Sequence, residues 1–150
     1  MRRSIIRLIL FAALAASVPA ALIAAQTAKP NVKLGLWETV MTMEGMGPGE
    51  PRKVCITAEK LATGAFDDSP DQECKRTVTG STATSMDVTE TCARKADPGV
   101  TGTGTLHLQV VSPESVKGTL ATKLSMTGRS MTMNGTLAAK FVSTDCGKIK

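Results

Sequence analysis

From Val100 onward, apolar and polar residues alternate with a period of two through three successive runs. In VTGTGTLHLQVV, Leu106, Leu108 and Val110 share one face, and Thr103, Thr105, His107 and Gln109 share the other. In VKGTLATKLSM, Val116, Leu120, Leu124 and Met126 align against Lys117, Thr119 and Lys123. In MTMNGTLAAKF, Met131, Met133, Leu137 and Phe141 align against Thr132, Asn134, Thr136 and Lys140. Successive side chains of a strand point to opposite faces, so this period predicts three half-buried strands.

The turns between these runs predict their register. VSPESV, residues 111–116, returns the first run to the second, and aligning Val110 with Val116 and Leu106 with Leu120 requires a loop of odd length. TGRS, residues 127–130, offers Gly128 at the first central position of a two-residue hairpin, as a type II′ turn prefers. Pairing Thr127 with Ser130 then sets Met126 against Met131, Leu124 against Met133, Leu120 against Leu137 and Val116 against Phe141. A slip by one residue would set that apolar row against Thr and Lys. The same register puts Lys117 opposite Lys140, as two solvated side chains or, in the functional alternative, a two-lysine anion site.

Upstream, STATSMDVTETC carries Met86, Val88 and Cys92 on one face, with Glu90 out of phase on that same side, and CKRTVTGS before it is the expected hairpin partner. In GLWETVMTM, Trp37, Thr39, Met41 and Met43 share a face. TAEKLATGAF differs: Thr57 can cap a short helix, Glu59 suits its first turn, and Gly64 can end it. DDSPDQE and ARKADPG read as polar loops. The whole pattern predicts an all-β, antiparallel meander of about 6–8 strands, twisted or rolled toward a barrel, with one short helix.

The N-terminal segment changes the boundaries. Arg2, Arg3 and Arg7 precede the apolar run LILFAALAA, which is too short to span a bilayer comfortably, and small residues and Pro19 follow. That order is a secretory signal peptide, expected to occupy residues 1–25 and to be removed after Ala25, with cleavage after Ala20 the nearest rival. Residues 26–150 then form a single domain, and the expected location is the periplasm or outside the cell. Of the 18 basic residues three leave with the signal, so 15 remain against 13 acidic ones. A balance that even gives no argument for nucleic acid, and the scarcity of aromatic residues removes stacking platforms for bases.

Four cysteines remain: Cys55, Cys74, Cys92 and Cys146. An even number in an oxidising compartment predicts two disulfides and a disulfide-stabilised domain. Three connectivities exist. The expected one is Cys55–Cys74, closing a polar loop, with Cys92–Cys146 pinning the C-terminal end to the sheet. No C-x-x-C pair supports a zinc site.

The candidate chemistry is sparse. Met41, Met43 and Met46 raise the possibility of a Cu(I) site, because soft thioether sulfur suits that ion. The competing explanation is packing. Methionine fills irregular gaps in cores, and Met131 and Met133 repeat the Met-x-Met spacing on a row of leucines. The expected core is Trp37, Leu120, Leu124, Leu137 and Phe141. His107, the single histidine, falls on the polar face and marks no nucleophilic triad. Asp67, Asp68, Asp71 and Glu73 cluster without the spacing of a calcium loop. No catalytic residue and no cofactor is therefore expected.

Several short motifs occur in a recognisable order: KLGLWE at 33–38, VCITAEK at 54–60, ECK at 73–75, a cysteine ending a Thr-rich strand at Cys92, GTGTL at 102–106 and DCGK at 145–148. In this the chain resembles the bacterial domain-of-unknown-function family 3617. Leu34 and Ala58 stand where that family commonly has prolines. The resemblance implies an exported, mostly β domain and supplies no activity. The expected role is a non-catalytic binding or structural module. The sequence does not identify a partner; an apolar small molecule and a cell-envelope protein are the two candidates. The alternative is a carrier of a lipid-like ligand in the rolled sheet.

Overall fold

The computed structural model describes residues 28–64, 66 and 71–149; the signal segment expected at 1–25 lies outside them. The chain order is β1 (Gly35–Met43), β2 (Gly47–Pro48), β3 (Arg52–Ile56), α1 (Ala58–Thr63), β4 (Gln72–Ser81), β5 (Ser85–Arg94), β6 (Thr101–Ser112), β7 (Ser115–Met126) and β8 (Arg129–Ser143). All eight strands lie in one antiparallel sheet of order β2-β1-β8-β7-β6-β5-β4, with β3 also paired to β1. The sheet is open. Strand β4 forms one edge, and β2 and β3 share the other.

Alternation carries through every ladder and gives the sheet one apolar and one polar face. Val110 pairs with Val116 and Leu106 with Leu120, and the register shifts beyond Val110 accommodate the odd-length loop. The next hairpin corrects the expected register. Met126 pairs with Arg129, Leu124 with Met131, Leu120 with Gly135 and Val116 with Ala139. The turn therefore uses Thr127 and Gly128 as its central residues, and Gly128, with φ +75°, takes the second position instead of the first. The difference is two residues, which equals the strand period, so each side chain stays on its expected face. The shift also separates the lysines: Lys117 faces Ala138 and Lys140 faces Ser115, so no two-lysine site forms across this ladder.

The apolar face is covered at one end. Trp37, Ile56, Leu61, Met86, Val88, Leu108, Val116 and Ala139 form its buried cluster. Helix α1 lies over it. Thr57 caps the helix by accepting from the Lys60 N–H at 3.2 Å, and Gly64 ends it with φ +71°. Leu61 is its buried residue. A Cβ at Gly64 would lie 2.8 Å from a Val88 methyl, so only glycine lets the helix end sit this close to β5. The segment before β1 straps the same end. The Asn31 N–H donates to the Ala83 carbonyl at 2.9 Å and the Lys33 N–H to the Pro113 carbonyl at 2.8 Å. Lys33 also pairs with Glu114 and sits over the Phe141 ring.

Trp37 is 3% exposed. Its indole N–H donates to the Lys33 carbonyl at 2.9 Å, and its ring meets Phe141 edge-on at 5.8 Å. Of the other residues expected in the core, Leu137 and Phe141 are partly buried against the cluster, while Leu120 and Leu124 are half-buried and lie beyond it.

The disulfides correct the expected pairing. Cys55 bonds Cys146 and Cys74 bonds Cys92. Cys55 lies on β3 and Cys74 on β4, at opposite edges of the sheet with five strands between them. That is far beyond disulfide reach, because neighbouring strands are about 4.8 Å apart and bridged Cα atoms lie within about 7 Å. Closeness in sequence misled because α1 and the chain after it carry the backbone from one edge to the other. Cys74 and Cys92 are instead directly opposed in the β4–β5 ladder.

Two outcomes follow for stability. Chain entropy assigns about 4.5 kcal/mol to the Cys55–Cys146 loop and about 3 kcal/mol to the Cys74–Cys92 loop, from separations of 91 and 18 residues. Urea melts of the two Cys→Ser double variants are expected to show the larger loss for Cys55/Cys146, and non-reducing peptide maps to show Cys74 joined to Cys92. Trp37→Ala is expected to cost about 3–5 kcal/mol in the same assay, as for a fully buried aromatic side chain.

Candidate functional site

The cover ends before the apolar face does. Toward the β7–β8 turn the face is lined by Met41 and Met43 of β1, Leu120, Thr122 and Leu124 of β7, and Met131 and Met133 of β8. Met131 is 50% exposed, and Met41 and Met126 are also exposed. The remaining members of the row are half-buried. Between this open part and the core lies a recess of about 110 Å³, with Met41, Phe66, Leu120 and Leu137 on its walls.

That recess contains a charged pair. Arg76 and Glu90 are opposed in the β4–β5 ladder on the apolar face, and Arg76 Nε donates to Glu90 Oε2 at 3.2 Å. The Arg76 side chain is only 14% exposed. Gly104 of β6 makes the room, since a Cβ there would lie 3.1 Å from Glu90 Oε1. The out-of-phase Glu90 was the signal for this pair, but its partner becomes legible only when Cys74 is aligned with Cys92. Beside the pair, Sγ of Cys74, Sγ of Cys92 and a Glu90 oxygen lie within 4.8 Å of one another, and this is the sole such group of three among the described residues. Both sulfurs are committed to the disulfide, so neither is a thiolate able to ligate a metal.

The polar face holds the histidine. His107 and Asp87 are cross-strand neighbours on β6 and β5, and Nδ1 lies 2.6 Å from Asp87 Oδ1. Both side chains are more than half exposed. Around them Thr79, Thr105, Thr119 and Thr136 line a broad recess of about 710 Å³. Thr119 is opposite His107 in the β6–β7 ladder. No hydrogen bond between its hydroxyl and the imidazole is present among the described residues. Of the acidic cluster, Asp67 and Asp68 lie outside the described residues, while Glu73 stands on β4 and Asp71 accepts the Lys95 N–H through its carbonyl at 3.0 Å.

Inside the core a cavity of about 50 Å³ is lined by Val32, Trp37, Ile56, Leu61, Met86 and Leu108. Its walls are wholly apolar. Ligand pockets for drug-sized molecules run to about 300–1,000 Å³, well above this space. Of the methionines singled out in the sequence, Met41 and Met43 share the apolar face, and Met46 lies in the turn after β1, where its N–H donates to the Met43 carbonyl at 3.1 Å. No helix among the described residues is long and apolar enough to cross a membrane.

Comparison with curated proteins and with solved structures gives no match in either set. Residues 29–146 match the family described as "Protein of unknown function (DUF3617)", a span that holds every strand and all four cysteines. The motif order from KLGLWE to the Asp145-Cys146 that opens DCGK runs through that span. This chain belongs to the DUF3617 family.

Proposed function

We propose that the protein is an exported, non-catalytic module that receives an apolar group on the open part of its sheet. The observation that carries this reading is the partial cover. Helix α1 and the strap hide one end of the apolar face, while Leu120, Leu124, Met131 and their neighbours remain within reach of solvent. Contiguous exposed apolar surface of this kind marks interaction sites in soluble domains. Export to the periplasm is supported by the charged and then apolar N-terminal run and by the absence of free cysteines among the described residues.

The carrier reading narrows accordingly. The apolar space inside the core is small, about 50 Å³, and a lipid-like ligand would lie mainly along the open face with one side wet. A cell-envelope protein presenting an apolar segment would use the same surface.

Purification from the native compartment tests both parts. The intact mass is expected to correspond to a chain beginning at Gln26. An apolar fluorophore should bind the native protein, and Leu124→Lys combined with Met131→Lys should abolish binding with only a small fall in melting temperature, since both positions lie outside the buried cluster and the two opposed lysines repel weakly in water. His107→Ala should change neither. Native protein that binds no fluorophore would defeat the reading; lipid in organic extracts would select the carrier form of it.

A further inference from the structure

The methionines divide by environment. Met86 is 3% exposed and belongs to the core. Met46 is 68% exposed, and Met43 and Met133 are half-buried outside the core cluster. Gap-filling among leucines explains Met86. It does not explain why the chain keeps sulfur at the wet end of the sheet.

Backbone geometry brings three of these residues to one place. Met43 pairs with Gly135, which leaves Met133 diagonal to it on the same face of the neighbouring strand. Diagonal pairs in a ladder have Cα atoms about 7–8 Å apart and Cβ atoms somewhat closer, within reach of long side chains. Gly135, directly opposite Met43, has no side chain, and the Met43 sulfur occupies that place: a Cβ at Gly135 would lie 2.8 Å from Met43 Sδ and 3.4 Å from Leu120 Cδ2. The turn carrying Met46 is fastened at the same rung. The Glu44 N–H donates to the Asn134 carbonyl at 2.9 Å, and Asn134 Nδ2 donates to Glu44 Oε2 at 3.2 Å. With the Met46 N–H on the Met43 carbonyl, the turn is tied both to Met43 and to the residue after Met133. Glu44 and Asn134 continue the polar row of Thr42 and Thr136, so this carboxylate belongs to the opposite face.

We propose that Met43, Met46 and Met133 form a binding site for a soft monovalent cation, with Cu(I) as the ion of that class. Three neutral thioethers suit Cu(I), whereas Ca²⁺ and Mg²⁺ require oxygen ligands that this face does not offer here. The site lies at the rim of the sheet, so the ion exchanges directly with solvent. Met41 is one rung farther from the turn, opposite Leu137, and is left out of the set. The inference does not depend on an apolar ligand occupying the open face, which uses Leu124 and Met131.

Calorimetric titration of the mature protein with Ag(I), a redox-inert substitute for Cu(I), tests it. One Ag(I) per chain is expected. Met43→Leu, Met46→Leu and Met133→Leu should each weaken binding roughly tenfold or more, the equivalent of one lost ligand of about 1.4 kcal/mol. Met131→Leu and Met126→Leu should leave it unchanged. Leucine preserves size and apolarity, and unchanged melting curves for all five variants separate loss of the site from loss of the fold. Failure to retain Ag(I), equal losses for Met131→Leu and Met133→Leu, or equal affinity for Ca²⁺ would each overturn the inference. Fluorophore binding that needs Leu124 and Met131 in a protein that takes up no Ag(I) would overturn it while leaving the apolar-surface reading intact.

Discussion

A single sheet with one apolar face has to be covered by something, and here the cover is organised around Trp37. The indole is buried beneath the strap that its own N–H helps to hold through Lys33. It sits on β1, the strand joining the short β2–β3 edge to the long meander. Leu61 of α1, Ile56 of β3 and Met86 and Val88 of β5 complete the same cluster. Remove the hydrophobic contact at this point and α1, only six residues long, has no independent reason to be helical. The polar face needs no equivalent, because Thr, Lys and Gln side chains satisfy it in water.

The sequence revealed the faces better than the positions along them. Period-two alternation identifies which residues share a face, and the β6–β7 ladder followed directly because Val110, Val116, Leu106 and Leu120 offered one consistent alignment. The β7–β8 ladder did not, because Thr127-Gly128 and Gly128-Arg129 are both plausible turn centres and differ by a whole strand period. Nothing in the alternation states where a helix will cover the face. Leu120 and Leu124 therefore looked equivalent to Val116, although the cover reaches only the last of these. The disulfides were hidden for a related reason: the crossing from β3 to β4 breaks the link between nearness in sequence and nearness in space.

The candidate sites show the same division. The Met-x-Met pairs were visible at once, but the ladder alone shows that Met43 and Met133, and not Met41 and Met131, are the close members. Arg76 and Glu90 were visible only as an out-of-phase charge. Their pairing beside the Cys74–Cys92 bond gives the apolar face a fixed polar feature. A half-buried ion pair contributes little net stability, since desolvation offsets much of the attraction. Its clearer effect is on strand alignment, because a slip of β4 would bring Arg76 against Val88 or Cys92.

The ladder between β1 and β8 joins the beginning of the domain to its end. Cys55–Cys146 repeats that closure covalently, whereas β4 through β8 are consecutive hairpins that can form from local contacts. Contacts of such different sequence range form on different timescales, with the long-range ones last. During synthesis β4 through β7 can assemble while Trp37 still waits for its neighbour Phe141 on β8, so the final stretch of polypeptide completes the packing around residues made at the start.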